Sequence, residues 1–199
     1  MPTIVYKVGG SLLGLPDLPR RLRRVLSTVD DRNPLLMVGG GPTADVVREW
    51  DRLHGLGDER AHWLALRSLM LNEALLVELM PQTRLVRSRT EAEAAWKAGR
   101  IPILSAYEFL IVEERAGGDD PRLPHNWDVT SDSIAAWIVL RWPADGLVLL
   151  KSTTLPEPAG HADDEQPVDL YFRRLAPRLP TIEWINLRAA EPTAERWMP

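Results

Sequence analysis

The sequence contains no cysteine, so disulfides, thiolate metal sites and cysteine nucleophiles are excluded. This fits a reducing compartment, and the cytoplasm is the predicted location. Long hydrophobic runs are also missing: the longest, residues 134–140, falls far short of the ~20 residues that a membrane helix needs. The N-terminus shows neither the basic region nor the apolar stretch of a secretory signal. We therefore expect a soluble protein.

Positive charge is not in excess, since the formal net charge is -4. A nucleic-acid partner is not expected, because no surplus of Lys and Arg exists to neutralise phosphates. Small ligands and protein partners fit better. The 199 residues, 45% of them hydrophobic, are enough for one ordinary domain with a three-layer core. We predict a single domain over residues 1–199, without internal repeats.

Two near-continuous apolar runs end in glycines and are followed by helical patterns. Residues 4–8 lead into Gly9 and Gly10, and residues 35–38 lead into Gly39, Gly40 and Gly41. Such runs are typical of parallel strands buried on both faces. Further predicted helices span residues 20–29, 42–54, 58–80, 90–98, 130–140 and 168–176; further strands span 85–86, 101–104, 146–150 and 182–187; residues 113–127 and 155–167 are predicted loops. The alternation predicts an α/β fold, a three-layer αβα sandwich around a mainly parallel sheet.

The helix predicted near residues 61–80 is apolar on almost every side. One buried face within a single domain does not account for that much apolar surface. We therefore expect part of this helix to form a subunit interface, in a homodimer or a larger homo-oligomer.

The two glycine clusters place backbone N–H groups and helix N-termini at one edge of the sheet, where anions bind. Glycine allows a phosphate to approach the main chain closely. The alternative is that both clusters are only tight turns, and neither has a Walker or Rossmann spacing.

Two charged residues strengthen the anion-site interpretation. Lys7 is a lone charge in an apolar strand, two residues before the first glycines, so its ammonium can reach a phosphate there. A lysine that extends from the strand end to solvent is the alternative. Asp132 falls in the first turn of a predicted helix that Thr130 or Ser131 can cap. Favourable placement in the helix dipole explains Asp132 without any function.

Three segments together resemble the signature segments of the amino acid kinase family, in the same order: residues 6–12, Tyr-Lys-Val-Gly-Gly-Ser-Leu; residues 38–42, Val-Gly-Gly-Gly-Pro; and residues 130–136, Thr-Ser-Asp-Ser-Ile-Ala-Ala. The family includes acetylglutamate, aspartate, uridylate and isopentenyl phosphate kinases. The resemblance implies an ATP-dependent phosphotransferase that uses Mg²⁺. It implies that Lys7 stabilises the transferring phosphoryl group and that Asp132 positions this lysine. It assigns Gly9, Gly10 and Ser11 to ATP phosphates, and Gly39, Gly40 and Gly41 to the substrate.

The nucleotide-binding part departs from the family pattern. Residues 149–153 resemble the strand end that starts the nucleotide stretch in uridylate-type relatives, which assigns Lys151, Ser152 and Thr153 to ATP binding. The family usually continues with an Asp-Gly-Val-Tyr-like segment and a later segment that carries a second phosphate-binding lysine. This chain has neither. Lys151 is the candidate substitute for that lysine, and an ordinary strand-end lysine is the alternative.

Residues 124–132 most resemble a branch of the family associated with methanofuran biosynthesis, whose acceptor is an aminomethylfuran-methyl phosphate. For such an acceptor, Trp127 would stack on the furan ring, Asp128 would pair with the amine and the glycine loops would hold the phosphate. An ionised acceptor requires no general base, and no protein metal site is predicted. The alternatives are a kinase of the same fold for UMP, isopentenyl phosphate or an amino acid, and a non-catalytic nucleotide- or oxyanion-binding member.

Overall fold

The computed structural model describes residues 1–27, 31–117, 122–156 and 168–197. Within these residues the strands are β1 Thr3–Val8, β2 Asn33–Val38, β3 Thr83–Val86, β4 Ile101–Leu104, β5 Gly146–Lys151, β6 Ile182–Asn186 and β7 Ala194–Arg196. The helices are α1 Leu18–Ser27, α2 Pro42–His54, α3 Asp58–Leu79, α4 Arg89–Lys97, α5 Ala106–Ala116, α6 Ser131–Arg141 and α7 Leu170–Leu175. None of the described helices combines the length and apolarity needed to cross a bilayer.

The strands form one sheet in the order β3-β4-β2-β1-β5-β6-β7. Neighbouring strands run parallel except for β7, which pairs antiparallel with β6. β1 lies at the centre, where Lys7 is opposite Met37 of β2 and Leu149 of β5. Because parallel strands end at the same edge, the glycines after β1 and β2 and the end of β5 are brought together.

Alternating side chains of the central strands enter two separate cores. Val5, Met37 and Leu149 belong to a core that is completed by residues of α3 to α7. Tyr6, Leu36 and their like-facing neighbours belong to a second core, completed mainly by α1 and the C-terminal end of α3. This two-sided burial explains why the strands are almost continuously apolar, and it confirms the predicted α/β fold.

The structure differs from the predicted elements at helix α5 and at strand β7. The loop predicted over residues 113–127 is wrong at its start, because α5 continues to Ala116, with Phe109 and Leu110 buried in the core. The short strand β7 was not predicted. Residues 28 and 29 of the first predicted helix, residues 118–121 of the loop predicted over 113–127 and residues 157–167 of the last predicted loop lie outside the described residues.

Candidate active site

Lys7, Asp132 and Lys151 form a buried ion cluster at the carboxyl edge of the sheet. Lys7 Nζ lies 2.8 Å from Asp132 Oδ1, and Lys151 Nζ donates to Asp132 Oδ2 at 2.5 Å. The register of β1 against β5 explains why the two lysine side chains lie close together. Residue 7 pairs with residue 149, so the side chain of Lys151, two positions further along β5, is on the same sheet face as that of Lys7. Helix α6, which carries Asp132, packs on this face.

The charges in this cluster determine each other's ionisation. Burial pushes the pKa of Asp132 upward, but the ammonium groups of Lys7 and Lys151 outweigh burial and hold that pKa below its usual range. Burial lowers the pKa of Lys151, with a smaller opposing effect from the attraction of Asp132. The Lys151 ammonium also lies 5.0 Å from the ring centroid of Trp184. Two cations share one anion, so the ionised cluster carries net positive charge.

Asp132 is placed by the start of α6. Thr130 caps that helix, since its Oγ1 accepts from the Asp132 N–H at 3.2 Å. Asp169 holds the cap from the other side: its carboxylate accepts from Thr130 Oγ1 at 2.5 Å and from the Ser133 hydroxyl. The same carboxylate accepts from the Phe172 N–H at 2.7 Å and so caps α7. Asp169 was not predicted as a site residue, although an aspartate directly before a helical run is a typical cap.

The two glycine turns are in direct contact. A Cβ built on Gly10 would lie 2.2 Å from the Gly41 nitrogen, and one built on Gly41 would lie 2.6 Å from the Gly10 carbonyl carbon. Gly41 also has a φ of 51°. A Cβ on Gly39 would lie 2.8 Å from Ser131 Oγ and 3.2 Å from Lys7 Cε. Glycine is therefore required at these positions by packing as well as by any bound phosphate. The missing side chains let the two turns, Lys7 and the start of α6 approach each other closely.

Asn72 of α3 supports the second glycine turn and was not predicted. Its buried side-chain amide donates to Gly39 O at 2.8 Å, Gly40 O at 2.7 Å and Thr43 Oγ1 at 2.9 Å. Two carbonyls of the turn thereby have a buried hydrogen-bond donor. Asn72 and Glu73 together interrupt an apolar helical stretch, and both are buried, but nothing local in the sequence connects Asn72 to the glycine turn.

The other residues predicted to bind ATP line the same edge in part. Ser11 Oγ donates to Ser152 Oγ at 3.2 Å, which joins the first glycine turn to the end of β5. Gly9 continues the sheet, since its N–H donates to Leu150 O at 2.9 Å. Thr153 is exposed, and its carbonyl accepts from Trp184 Nε1 at 2.9 Å. Their assignments to ATP remain predictions.

A cavity of about 140 Å³ opens beside the second glycine turn, between α2, α3 and the segment before α6. Gly40, Gly41 and Ser131 line one end, and Trp127 belongs to the wall. The Trp127 indole N–H donates to Asp51 Oδ2 at 2.8 Å, and the Arg48 guanidinium lies 4.9 Å from the Trp127 ring centroid. Asp128 is exposed, is hydrogen-bonded to Asn126 and does not line this cavity. Its assignment to the substrate stays a prediction.

The chemistry of these groups fits a polyphosphate. The ion cluster supplies two oriented ammonium groups, and the N-termini of α2 and α6 start beside it, so positive charge and helix dipoles converge at this edge. Among the described residues, no group of three His, Asp or Glu side chains is arranged to hold a metal ion. Mg²⁺ is commonly bound through substrate phosphates with few protein ligands.

Fold and site together define an α/β protein in which a buried ion cluster with two ammonium groups lies beside two touching glycine turns at the carboxyl edge of a mainly parallel sheet. The chain belongs to the amino acid kinase family, whose model matches residues 2–154. None of the curated protein sequences compared with the chain matches it.

Solved structures of other proteins share the fold, and three of them are uridylate or UMP kinases. The uridylate kinase from Archaeoglobus fulgidus superposes with a TM-score of 0.60 at 18% identity, over 92% of this chain and 89% of that one. The UMP kinase from Ureaplasma parvum gives 0.65 at 13% identity, over 97% and 92%. The UMP kinase from Bacillus anthracis gives 0.62 at 16% identity, over 95% and 88%. At these sequence identities, the structural similarity shows a shared fold and nothing about substrate.

Proposed function

We propose that the chain is an ATP-dependent small-molecule kinase that transfers the γ-phosphate to an acceptor bearing a phosphate or a carboxylate. One observation carries the proposal: Lys7, Asp132 and Lys151 form one buried ion cluster where the two glycine turns touch. Burying three charged groups costs desolvation free energy, so such a cluster is poorly explained by stability alone. Binding a polyanion with the two lysines is a function that explains it. Family membership supports the same activity.

Phosphoryl transfer requires in-line placement of the reactants and stabilisation of charge on the transferring group, with little covalent chemistry from the protein. In the proposed mechanism the Lys7 ammonium faces the transferring phosphoryl oxygens. Asp132 holds that ammonium in place, so little reorganisation is needed in the transition state. Bound Mg²⁺ would neutralise further phosphate charge. An acceptor phosphate or carboxylate is already ionised at neutral pH, so no general base is required.

We propose that Lys151 takes the place of the second phosphate-binding lysine. The hydrogen bond to Asp132 at 2.5 Å supports this role, because one carboxylate then orients two ammonium groups toward the same edge. Ser11 and Ser152, in mutual hydrogen-bond contact beside Lys151, are proposed to bind ATP with it.

We propose that the acceptor occupies the cavity beside Gly40 and Gly41, with its anionic group at the glycine end. An aminomethylfuran-methyl phosphate is the acceptor proposed from the sequence. The partly exposed Trp127 ring in the cavity wall supports a flat body in this position. The predicted cytoplasmic location suits such a reaction and stays a prediction.

We also propose a homo-oligomer that is formed through the outer faces of α2 and α3. Val46, Trp50 and Leu53 of α2 are exposed at helical spacing, as are Leu71 and Leu75 of α3. Large exposed apolar patches mark interaction sites. Light scattering at low protein concentration tests this proposal, and a monomeric mass would contradict it.

The kinase proposal is tested by measuring ADP release from ATP and Mg²⁺ with a panel of acceptors: UMP, isopentenyl phosphate, acetylglutamate, aspartate and aminomethylfuran-methyl phosphate. We expect one of these to be phosphorylated. Lys7→Ala should lower kcat by at least about 10²-fold while the protein stays folded, because oriented charge is the main catalytic contribution.

Exposed Lys97, at the end of α4, provides the matched control. Lys97→Ala should keep the wild-type rate. An unchanged rate in Lys7→Ala would overturn the assignment of this lysine, and ATP binding without turnover of any acceptor would favour a non-catalytic member.

A further inference from the structure

Arg188 is an exposed cation beside the first glycine turn that no signature segment accounts for. It follows β6 at the carboxyl edge of the sheet, and its Nη2 lies 3.5 Å from the main-chain oxygen of Ser11. Arg188 lies outside the three segments that resemble the family's signatures and outside the family match, which ends at residue 154. The fold alone therefore brings this guanidinium to residues that are proposed to bind ATP.

The main chain on both sides of Arg188 is held in place. The Leu187 N–H donates to Lys151 O at 2.8 Å, which ties this segment to the end of β5. From α1, the Arg21 guanidinium donates to Leu187 O at 3.1 Å and to Ala189 O at 2.6 Å. Both neighbours of Arg188 are anchored, so the start of its side chain has a defined position close to the end of β5.

The Arg188 side chain spans the position of β5 at this edge of the sheet. β5 lies between β1 and β6, whereas Arg188 starts after β6 and reaches Ser11 after β1. Ser152, whose hydroxyl accepts from Ser11 Oγ at 3.2 Å, lies at the end of β5. Arg188 therefore approaches Ser11 and Ser152 from the side of β6.

An arginine in this position suits phosphate oxygens. Its guanidinium is planar, always charged in proteins and equipped with five N–H donors. The contact with Ser11 O is at the long end of hydrogen-bond distances and involves only Nη2, so other N–H groups remain for a ligand. Among the described residues, no carboxylate forms an ion pair with Arg188. A phosphate at Ser11 and Ser152 would supply a counter-charge.

The order of the cations along the sheet edge determines which phosphates each can reach. Lys7 is on β1, Lys151 ends β5 and Arg188 follows β6. With the γ-phosphate at Lys7, a triphosphate that extends toward β6 brings its α- and β-phosphates to Arg188. Extension in the other direction leads to the glycine turn after β2, where the acceptor is proposed to bind.

We propose that Arg188 binds the α- and β-phosphates of ATP, in addition to the contacts of Lys7 and Lys151. This proposal rests on the proposed kinase function and deepens it, because it adds a nucleotide-binding residue from the C-terminal segment of the chain.

Calorimetric titration of the full-length protein with ATP and with ADP, each with Mg²⁺, tests the proposal. Arg188→Ala should weaken binding of both by at least about tenfold, because charge-assisted hydrogen bonds to phosphate are lost. The two factors should be similar, since both nucleotides carry α- and β-phosphates; a loss with ATP alone would contradict the proposal. Arg100→Ala removes an exposed arginine directly before β4, at the opposite edge of the sheet, and should leave both affinities unchanged.

Two conservative variants separate phosphate binding from support of the turn. Arg188→Lys keeps the charge, and Arg188→Gln keeps a donor for Ser11 O without the charge. We expect Arg188→Lys to recover part of the ATP affinity and Arg188→Gln to bind ATP as weakly as Arg188→Ala. Full recovery in Arg188→Gln would show that the side chain only supports the turn, and would overturn the proposal.

A measurement on the unaltered protein guards against misfolded variants. Phenylglyoxal modifies accessible arginine side chains, and mass spectrometry locates the modified residues. ATP with Mg²⁺ should protect Arg188 and leave the reactivity of Arg100 unchanged, whereas adenosine should protect neither.

The outcomes separate this proposal from the kinase proposal. Equal reactivity of Arg188 with and without saturating ATP, or equal ATP affinity in the wild type and Arg188→Ala, would overturn the role of Arg188 alone, and ADP release would still decide the kinase activity. Absence of ATP binding by the wild type would overturn both.

Discussion

Gly10→Ala is the substitution that tests the contact between the two glycine turns most sharply. The new Cβ would lie 2.2 Å from Gly41 N, 2.6 Å from Gly41 Cα and 2.7 Å from the Gly40 carbonyl carbon. All three are backbone atoms, so no flexible side chain can move aside, and the turns must separate. Overpacking of a well-packed region costs about 1–3 kcal/mol. Because the atoms in contact are all backbone and cannot move independently, we expect a loss of stability at the upper end of this range, about 3 kcal/mol.

Urea denaturation measures the effect. With a slope of about 2 kcal/mol per molar urea, a loss of ~3 kcal/mol lowers the midpoint by about 1.5 M. ATP binding by the folded fraction should also be lost, because the amides of the two turns no longer converge.

Gly14→Ala is the matched control for Gly10→Ala. Gly14 is exposed, has no neighbouring heavy atom within 4 Å of a built Cβ and has no positive φ. Alanine at this position should leave ATP binding intact and stabilise the fold slightly, by about 0.4–1 kcal/mol. If Gly10→Ala matches this control in both midpoint and ATP affinity, the contact between the turns is refuted.

Two further predictions concern buried carboxylates. Asp132→Asn removes the carboxylate that lies between the buried ammonium groups of Lys7 and Lys151. It should destabilise the fold by about 3–5 kcal/mol in urea denaturation and lower kcat sharply; wild-type stability would contradict the ion cluster. Burial raises the pKa of Glu73 to about 7, despite a hydrogen bond from the Ala106 N–H, so the unfolded chain releases this proton more readily than the native protein. The free energy of unfolding should therefore fall by at most ~3 kcal/mol as pH rises from about 4.5 to about 7. Glu73→Gln removes the titrating group, so this decline should be smaller in the variant. An identical dependence of stability on pH in the two proteins would contradict the raised pKa of Glu73.

Much of the architecture follows from local patterns in the sequence. The strand-glycine-helix units at β1 and β2 are recognisable because buried parallel strands are continuously apolar and glycines end them. Helix α5 was not predicted: residues 105–112 were assigned to no element, and the Gly, Pro and Asp residues further on placed the start of a loop at Glu113, within the helix. The burial of Phe109 and Leu110 is decided by tertiary packing.

The sequence predicts site residues only within or beside the motifs that resemble the family's signature segments. Lys7 is recognisable as a charge in an apolar strand, and Asp132 as a charge in the first turn of a helix. Their 2.8 Å contact depends on the packing of α6 against β1. Lys151 joins them only because β5 pairs with β1, which no local pattern specifies. The resemblance and the local patterns therefore name the three charged residues, and long-range strand pairing and helix packing bring them into contact.

A crystal structure with a non-hydrolysable ATP analogue and Mg²⁺ tests the central claim most directly. We predict that the β- and γ-phosphates lie at the junction of the two glycine turns, within hydrogen-bond distance of the Lys7 and Lys151 ammonium groups. A polyphosphate bound at another edge of the sheet, with the Lys7–Asp132–Lys151 cluster untouched, would contradict the account.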